Sequence, residues 1–415
     1  VNEEYRFTFD RNLKGIQISA RELKKMNGYY DALVPFKNQL KCTDTLTAVW
    51  ITVQCPSRVP VGKYHQTIKI EGSKHFTIQL DYNVHHTTIP LKSSIPITVG
   101  VENRCVAEGL NDKEADKERQ RWVDFVLSYR MTPVFGTQIT PERWQYEHSF
   151  SPWAWNDKRS IRLLNDRRYS CYMLPFFTLS ENELASLLCN IQKKGKLKES
   201  LFYIWDEPAY MEDYEQIKQK VNIIRKYASD ARILTTFFCG PRNGPRKGDL
   251  YAVFDYLKHH IHVATISLAP CKGNEEEVQH IRYKVPEGID WWSYVCWQPG
   301  GNEPNFLLQM KGIQQRAIMW RTWKNGSQGF LYWNCNIYHK RNPFTYITDM
   351  PHGDGILIYP GDILGRKGPI ASARLERWRD GAEEMELLRL VEKNYSKEKA
   401  DTLLNIVYSS PLSFI

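Results

Sequence analysis

No Cys-x-x-Cys pair occurs in these 415 residues, although nine cysteines are scattered at 42, 55, 105, 171, 189, 239, 271, 296 and 335. An odd number at irregular spacing builds neither a zinc site nor a disulfide framework, and small buried thiols are expected instead. His259, His260 and His262 have no carboxylate or cysteine at ligand spacing nearby, so they read as a helix end at the surface. Neither a metal nor a cofactor is expected. No apolar run approaches the length that spans a bilayer, so a transmembrane segment is not expected either. The net charge of +9 is modest for the length, and the densest basic runs, Lys193 to Lys198 and Arg242 to Lys247, are short. A nucleic-acid track needs a longer contiguous patch, and no nucleic-acid partner is expected. The sequence opens on Val1 rather than Met, which leaves a signal peptide outside it and a secreted or periplasmic protein as the expectation.

What is abundant is aromatic. Phe, Trp and Tyr make up 13% of the chain, with 13 Trp and 23 Tyr, and 42% of all residues are hydrophobic. That content supports at least one large core, and rings also stack on the C–H faces of sugars. A chain of this length suggests two or three domains, or one barrel with an addition.

The first part has the rhythm of an all-β domain. Ala48 to Gln54 is strand-like, and Pro56, Pro60 and Gly62 punctuate a turn. Tyr64, Gln66, Ile68 and Ile70 then alternate with His65, Thr67 and Lys69, and Phe76 to Val84 follows. Short strands with turns between them predict a β-sandwich over 1–91, ending in the linker Ile89-Pro90-Leu91. After Pro96 strands and helices alternate. Eight strands are predicted, at Ile97–Val101, Thr132–Gly136, Tyr169–Phe176, Leu201–Asp206, Ile233–Phe238, His262–Leu268, Trp291–Trp297 and Gly329–Asn334. Ser180 with Glu183 forms a capping box for the helix after the third strand. Tyr214, Ile217, Val221 and Ile224 mark a helical face after the fourth, and Met310, Ile313, Ala317 and Trp320 another after the seventh. A last helix, Ala371 to Lys393, buries Leu375, Trp378, Ala382, Met385 and Leu388. The fold class is therefore α/β, a (β/α)8 barrel over 92–415 that includes the C-terminal helices. A doubly wound sheet competes, but it usually carries a Gly-rich loop after its first strand, where this chain has Val101-Glu102-Asn103-Arg104-Cys105.

Chemistry concentrates where the fourth strand ends, in Tyr203-Ile204-Trp205-Asp206-Glu207-Pro208-Ala209-Tyr210. An apolar run too short for a helix stops at two adjacent carboxylates, and the proline fixes the turn. Acids at a barrel strand's carboxyl end face the active-site mouth. Aromatic neighbours provide a partly dry pocket that raises a carboxyl pKa. The plainer reading is a helix N-cap at Asp206, which is common but is usually set among polar residues. The other strand ends would bring Gln138 from the second, then Tyr294, Trp297 and the loop with Glu303 from the seventh. The eighth would bring Tyr332, Trp333, Asn334 and Asn336, and the segment Ser151-Pro152-Trp153 could fold over the top. Trp291 and Trp292 read as packing residues.

Several segments together resemble one family. They are Tyr203 to Pro208, Trp291-Trp292-Ser293-Tyr294, Gly329 to Asn334 and Gly353 to Gly361, followed by Arg374-Leu375-Glu376 and Arg379 to Glu384. In this order they look like glycoside hydrolase family 123, the retaining β-N-acetylgalactosaminidases. The resemblance implies an N-terminal β-sandwich and a (β/α)8 barrel, and it carries the family's adjacent Asp-Glu pair onto Asp206 and Glu207. It also implies a partner: a glycolipid or glycoprotein glycan ending in β-GalNAc.

The adjacency of the acids fits one mechanism. A conventional retaining pair stands about 5 Å apart across the scissile bond, which neighbours at one strand end serve poorly. Substrate assistance removes that demand, because the 2-acetamido oxygen attacks C1. Glu207 then serves as acid and base, and Asp206 accepts the acetamide N–H. Tyr294 and Trp333 are expected to hold the sugar, with Trp297, Asn334 and Asn336 as further contacts. Two alternatives remain: a conventional pair of Glu207 with Glu303 as nucleophile, and a catalytically inactive carbohydrate-binding barrel.

Overall fold

The computed structural model describes residues 3–9, 15–26, 28–43, 46–140, 145–338, 342–343 and 350–414. The chain divides into two compact units, Val1–Pro90 with Ile358–Ala373, and Leu91–Leu357 with Arg374–Ile415.

The first unit begins with β1 (Glu3–Phe9), β2 (Gln17–Met26), β3 (Tyr29–Pro35), β4 (Gln39–Cys42), β5 (Ala48–Gln54), β6 (Gly62–Glu71) and β7 (His75–Val84). They form two antiparallel sheets, β4-β1-β6-β7 and β3-β2-β5. In β6 the predicted alternation holds, with Tyr64, Gln66 and Ile68 buried and His65 and Lys69 exposed. Phe7, Leu40 and Ile68 of one sheet share a core with Ile18, Val49 and Ile51 of the other. The short antiparallel pair Ile358–Pro360 and Pro369–Ala371 joins this unit from far along the chain. There Tyr359 donates to Asp31 at 2.5 Å, and Ser372 bridges to Ala32. A single cut at 91 leaves this return segment with the second unit.

The second unit contains β8 (Ile97–Glu102), β9 (Thr132–Thr140), β10 (Gln145–Ser149), β11 (Tyr172–Met173), β12 (Ser200–Trp205), β13 (Arg232–Phe237), β14 (Val263–Ser267), β15 (Asp290–Val295) and β16 (Phe330–Tyr332). They form one nine-stranded sheet in the order β10-β9-β8-β16-β15-β14-β13-β12-β11. Every neighbouring pair is parallel except β9 with β10. The sheet is nearly closed, for the N–H of Phe150, just past β10, reaches the Met173 carbonyl of β11 at 2.6 Å. The eight mutually parallel strands each fall within or overlap a predicted one, although β11 keeps only Tyr172–Met173 of the predicted Tyr169–Phe176 and β16 only Phe330–Tyr332 of Gly329–Asn334, and helices follow each in sequence. These are α1 (Asn103–Ala107), α2 (Asp112–Ser128), α3 (Lys158–Leu163), α4 (Glu181–Lys193), α5 (Met211–Tyr227), α6 (Ala252–Leu257), α7 (Glu275–Lys284), α8 (Gly312–Lys324), α9 (Ala373–Asn394) and α10 (Lys397–Val407). The result is a mixed α/β fold around a barrel-like sheet.

Local chemistry accounts for these elements. Ser180 and Glu183 make the reciprocal capping box that starts α4. Tyr214, Ile217, Val221 and Ile224 are fully buried on one face of α5. In α9, Leu375, Trp378, Ala382 and Met385 are buried likewise. Inward side chains of period two, including Leu201, Leu234, Trp292, Tyr294 and Leu331, form the core enclosed by the sheet, and Tyr203 and Trp333 pack on it. Gly100 makes the mouth possible, because a Cβ there would lie 1.9 Å from the Trp333 carbonyl oxygen.

Candidate active site

A cavity of about 580 Å³ opens at the carboxyl ends of these strands. Thr98, Gly100 and Val101 line it from β8, Tyr146 and His148 from β10, and Tyr203 to Trp205 from β12. Asp206, Glu207, Trp333 and Asn334 add polar and aromatic groups to the wall, with Val134 and Gly136 of β9, Met173 of β11, Phe177, and Leu331 and Tyr332 of β16. Glu207 adopts a φ of +44°, the left-handed region that side chains avoid. Together with Pro208 this turns the chain sharply, so two consecutive carboxyls project at the strand's end. Such strain, on the order of 1–3 kcal/mol, persists where surrounding contacts hold it. Here Thr236 of β13 supplies the hold, accepting the Glu207 N–H at 2.9 Å and donating to Asp206 Oδ1 at 2.7 Å.

The two acids are held differently. Asp206 Oδ1 also receives the Tyr203 hydroxyl at 2.7 Å, so one oxygen carries two donors. Glu207 Oε1 accepts the phenol of Tyr294, a buried residue of β15. Loss of hydration among the cavity walls, then the charge of Asp206, push the Glu207 carboxyl up to about 7, while Tyr294 and Arg242 pull the other way. Both acids keep open surface toward the cavity, yet protein surrounds Glu207 closely enough that desolvation leads. His148 stacks on Tyr203 with ring centres 4.3 Å apart, and burial lowers it to about 4, so it is neutral near pH 7.

The aromatic wall is anchored from behind. Trp333 Nε1 and the Tyr332 hydroxyl both donate to Asp354 Oδ1, at 2.9 and 3.1 Å. The Gly355 N–H donates to the same Tyr332 oxygen at 2.9 Å. Gly355 has φ +68°, and a Cβ there would meet Trp333 Cζ2 at 2.6 Å, so glycine is required twice over.

The structure gathers Asp206, Glu207, Trp333 and Asn334 at the cavity and joins Tyr294 to Glu207. The Tyr294 donor is thus engaged with the acid itself. Asn336 is fully buried, with its amide spent on both backbone groups of Glu102, at 2.8 and 3.2 Å. Trp297 lies outside the cavity wall, exposed and stacked on Phe238. Gln138 is exposed and does not line the cavity. Ser151-Pro152-Trp153 does not fold over the mouth but is buried against neighbouring helices, where Trp153 Nε1 donates to Asp116 of α2 at 2.9 Å and Arg159 of α3 covers its ring. Glu303 is also buried, paired with Arg321 of α8 at 2.9 Å and absent from the cavity wall. The N-cap reading fails too, since α5 starts at Met211 with Tyr210 at its cap position.

Tyr146, His148, Tyr203, Thr236 and Asp354 are additions that the sequence reading did not single out. Tyr203 and Thr236 carried a signal: each lies at an inward position of its strand, two residues beyond Leu201 and Leu234 of the enclosed core. Among the described residues, no group of three His, Cys, Asp or Glu side chains is placed to share a metal ion, and no helix is long and apolar enough to cross a membrane.

A carboxyl raised toward neutrality beside a second carboxyl, within aromatic walls, is suited to protonating a glycosidic oxygen, the chemistry a glycoside hydrolase needs. The family follows from comparison: the glycoside hydrolase 123 catalytic domain matches residues 117–391, and the chain belongs to that family. A solved family 123 glycoside hydrolase from Clostridium perfringens, described for glycolipid glycan hydrolysis, is similar over 97% of this chain and 82% of that one. Its TM-score is 0.68 at 15% identity, a likeness of fold. A GH2 β-galacturonidase from Eisenbergiella tayi, bound to galacturonate, covers 91% of this chain and 71% of its own at 10% identity. Its TM-score of 0.41 is too low to bear on fold or function. No curated protein matches the chain in sequence.

Proposed function

We propose that this protein is a retaining β-N-acetylgalactosaminidase, releasing terminal β-GalNAc from a glycolipid or glycoprotein glycan through an oxazoline intermediate. The observation that carries the reading is the unequal hold on two consecutive acids. Asp206 is fixed by Tyr203 and Thr236, whereas Glu207 is raised to about 7 and so bears a transferable proton near neutrality. In the first step the acetamide oxygen attacks C1 while Glu207 gives its proton to the leaving oxygen, and the glycosidic C–O bond breaks. Asp206 accepts a hydrogen bond from the acetamide N–H and stabilises the positive charge that develops there. Glu207, now a carboxylate, then takes a proton from the water that attacks C1 and opens the oxazoline, with net retention.

Glu303 has no comparable support as a nucleophile, because its carboxylate is held by Arg321 away from the cavity wall. The choice of galacto over gluco configuration rests on the family resemblance. Eight parallel strands with intervening helices support a (β/α)8 barrel as the catalytic domain, and the two N-terminal sheets with a shared core support a β-sandwich.

The two acids should fail differently. Glu207→Gln removes the proton donor, so glycosides with good leaving groups should lose less in the first step than natural ones. Asp206→Asn should slow oxazoline formation whatever the leaving group, by roughly a hundredfold or more. Equal leaving-group dependence in both variants would overturn the assignment.

A further inference from the structure

The nine-stranded sheet has β10 at one end of its strand order and β11 at the other, so the cavity wall has a seam where the two meet. Side chains on both sides of the seam face the cavity: Tyr146 and His148 of β10, Met173 of β11, and Phe177 just beyond it. Glu147 lies between Tyr146 and His148, and the strand's period of two turns it to the other face, where it is buried. Its carboxylate crosses the seam. Oε2 accepts the Thr178 N–H at 2.7 Å and the Thr178 hydroxyl at 2.9 Å. Oε1 accepts the Phe176 N–H at 2.8 Å and the N–H of its own neighbour His148 at 3.3 Å. The chain is thereby fixed immediately before and immediately after Phe177, whose ring also meets Phe176 edge to face, with centres 5.2 Å apart. Burial raises the pKa of Glu147, and the four donors oppose that shift. Two segments can be joined by apolar packing without the cost of desolvating a carboxylate. What the carboxylate adds is two acceptor oxygens that set the direction of the chain they hold.

We propose that Glu147 is a positioning residue, clipping the seam so that the Phe177 ring stands at a fixed place in the cavity wall. The inference rests on the proposed function, in which this cavity receives the substrate. Glu147 itself does not line the cavity and acts through the segment it holds. An amide cannot take over the clip. One of its two ends is an NH2 group, which would face an N–H donor on one side of Phe177 and leave half of the clip open.

The test uses the full chain and an aryl β-GalNAc glycoside. Glu147→Gln should raise KM about tenfold, the scale of one charge-assisted hydrogen bond, and change kcat by less than about threefold. Hydrogen exchange at the Phe176 and Thr178 amides should accelerate, while that of β13 stays as in the wild type. In a Phe177→Ala background the same substitution should add little further to KM, because Glu147 acts through that ring. Thr178→Val removes one exposed donor and should move KM and exchange in the same direction by about two- to threefold, so the clip is read even if the glutamine variant does not fold. Unchanged exchange, a lower melting temperature with unchanged KM, or additive losses in the double variant would each overturn the role while leaving the acid pair intact. If the wild type cleaves no β-GalNAc glycoside, the reading of the acids fails and the positioning role falls with it.

Discussion

Removing the Tyr294 hydroxyl tests how the acid is tuned. The phenol donates to Glu207 Oε1, a bond that favours the ionised carboxylate and restrains the upward push of burial and Asp206. Tyr294→Phe keeps the ring within the enclosed core, beside Trp292 and Cys296, and deletes only the donor. A hydrogen bond to a charged group is worth roughly 1.5–3 kcal/mol, and part of it survives when the carboxyl is neutral. Since one pKa unit corresponds to about 1.4 kcal/mol, the shift should be roughly one unit. The sign is fixed by the role. A general acid works while protonated, so kcat/KM falls as pH rises through its pKa, and that profile reports the free enzyme. The alkaline limb should therefore lie at about 7 in the wild type and move upward in Tyr294→Phe. Thermal stability should change little, because the orphaned oxygen of Glu207 is open to cavity water. A limb that stays in place or moves to lower pH, or a melting temperature that falls in step with activity, would refute the reasoning.

Two further changes separate chemistry from scaffolding. Glu303→Gln should leave the rate on an aryl β-GalNAc glycoside within about twofold, while destabilising the fold by roughly 1–3 kcal/mol in denaturant melts, because buried Arg321 loses one of the two carboxylates, Glu303 and Glu275, that it pairs with among the described residues. A rate loss of a hundredfold would restore Glu303 as nucleophile. Asp354→Ala should strand two donors, the buried Tyr332 hydroxyl and the Nε1 of half-buried Trp333, at a cost of roughly 1–3 kcal/mol together with a raised KM, whereas Asp354→Asn keeps an acceptor and should cost much less. Equal stability of the two variants would remove Asp354 as the anchor of the wall.

The strands and helices were legible because burial imposes periods on the sequence. All eight parallel strands were predicted, and the buried face of α5 followed from Tyr214, Ile217, Val221 and Ile224 alone. The acid pair was legible for another reason: two carboxylates and a proline cannot continue a buried strand, so they mark its end. Partners chosen by direction were harder to read. Asn334 and Asn336 have the same type and parity, yet one lines the cavity and the other is drawn into bonds with Glu102, a strand neighbour only in three dimensions. Trp297 and Glu303 share a loop after β15, and tertiary packing sends one to solvent and the other to a buried arginine. The return of Ile358–Ala373 to the first unit likewise depends on distant contacts such as Tyr359 with Asp31, which no local pattern encodes.

In the proposed reaction the substrate's own acetamide attacks C1 while Glu207 moves the proton. Initial rates on matched aryl β-GalNAc, β-GlcNAc and β-Gal glycosides, measured side by side, test it most directly. Cleavage of the β-GalNAc glycoside is expected, with slower turnover of its gluco epimer and an essentially inert β-Gal glycoside, which has no acetamide to attack. Turnover of the β-Gal glycoside at a rate comparable to that of β-GalNAc would contradict substrate assistance and require a protein nucleophile in its place.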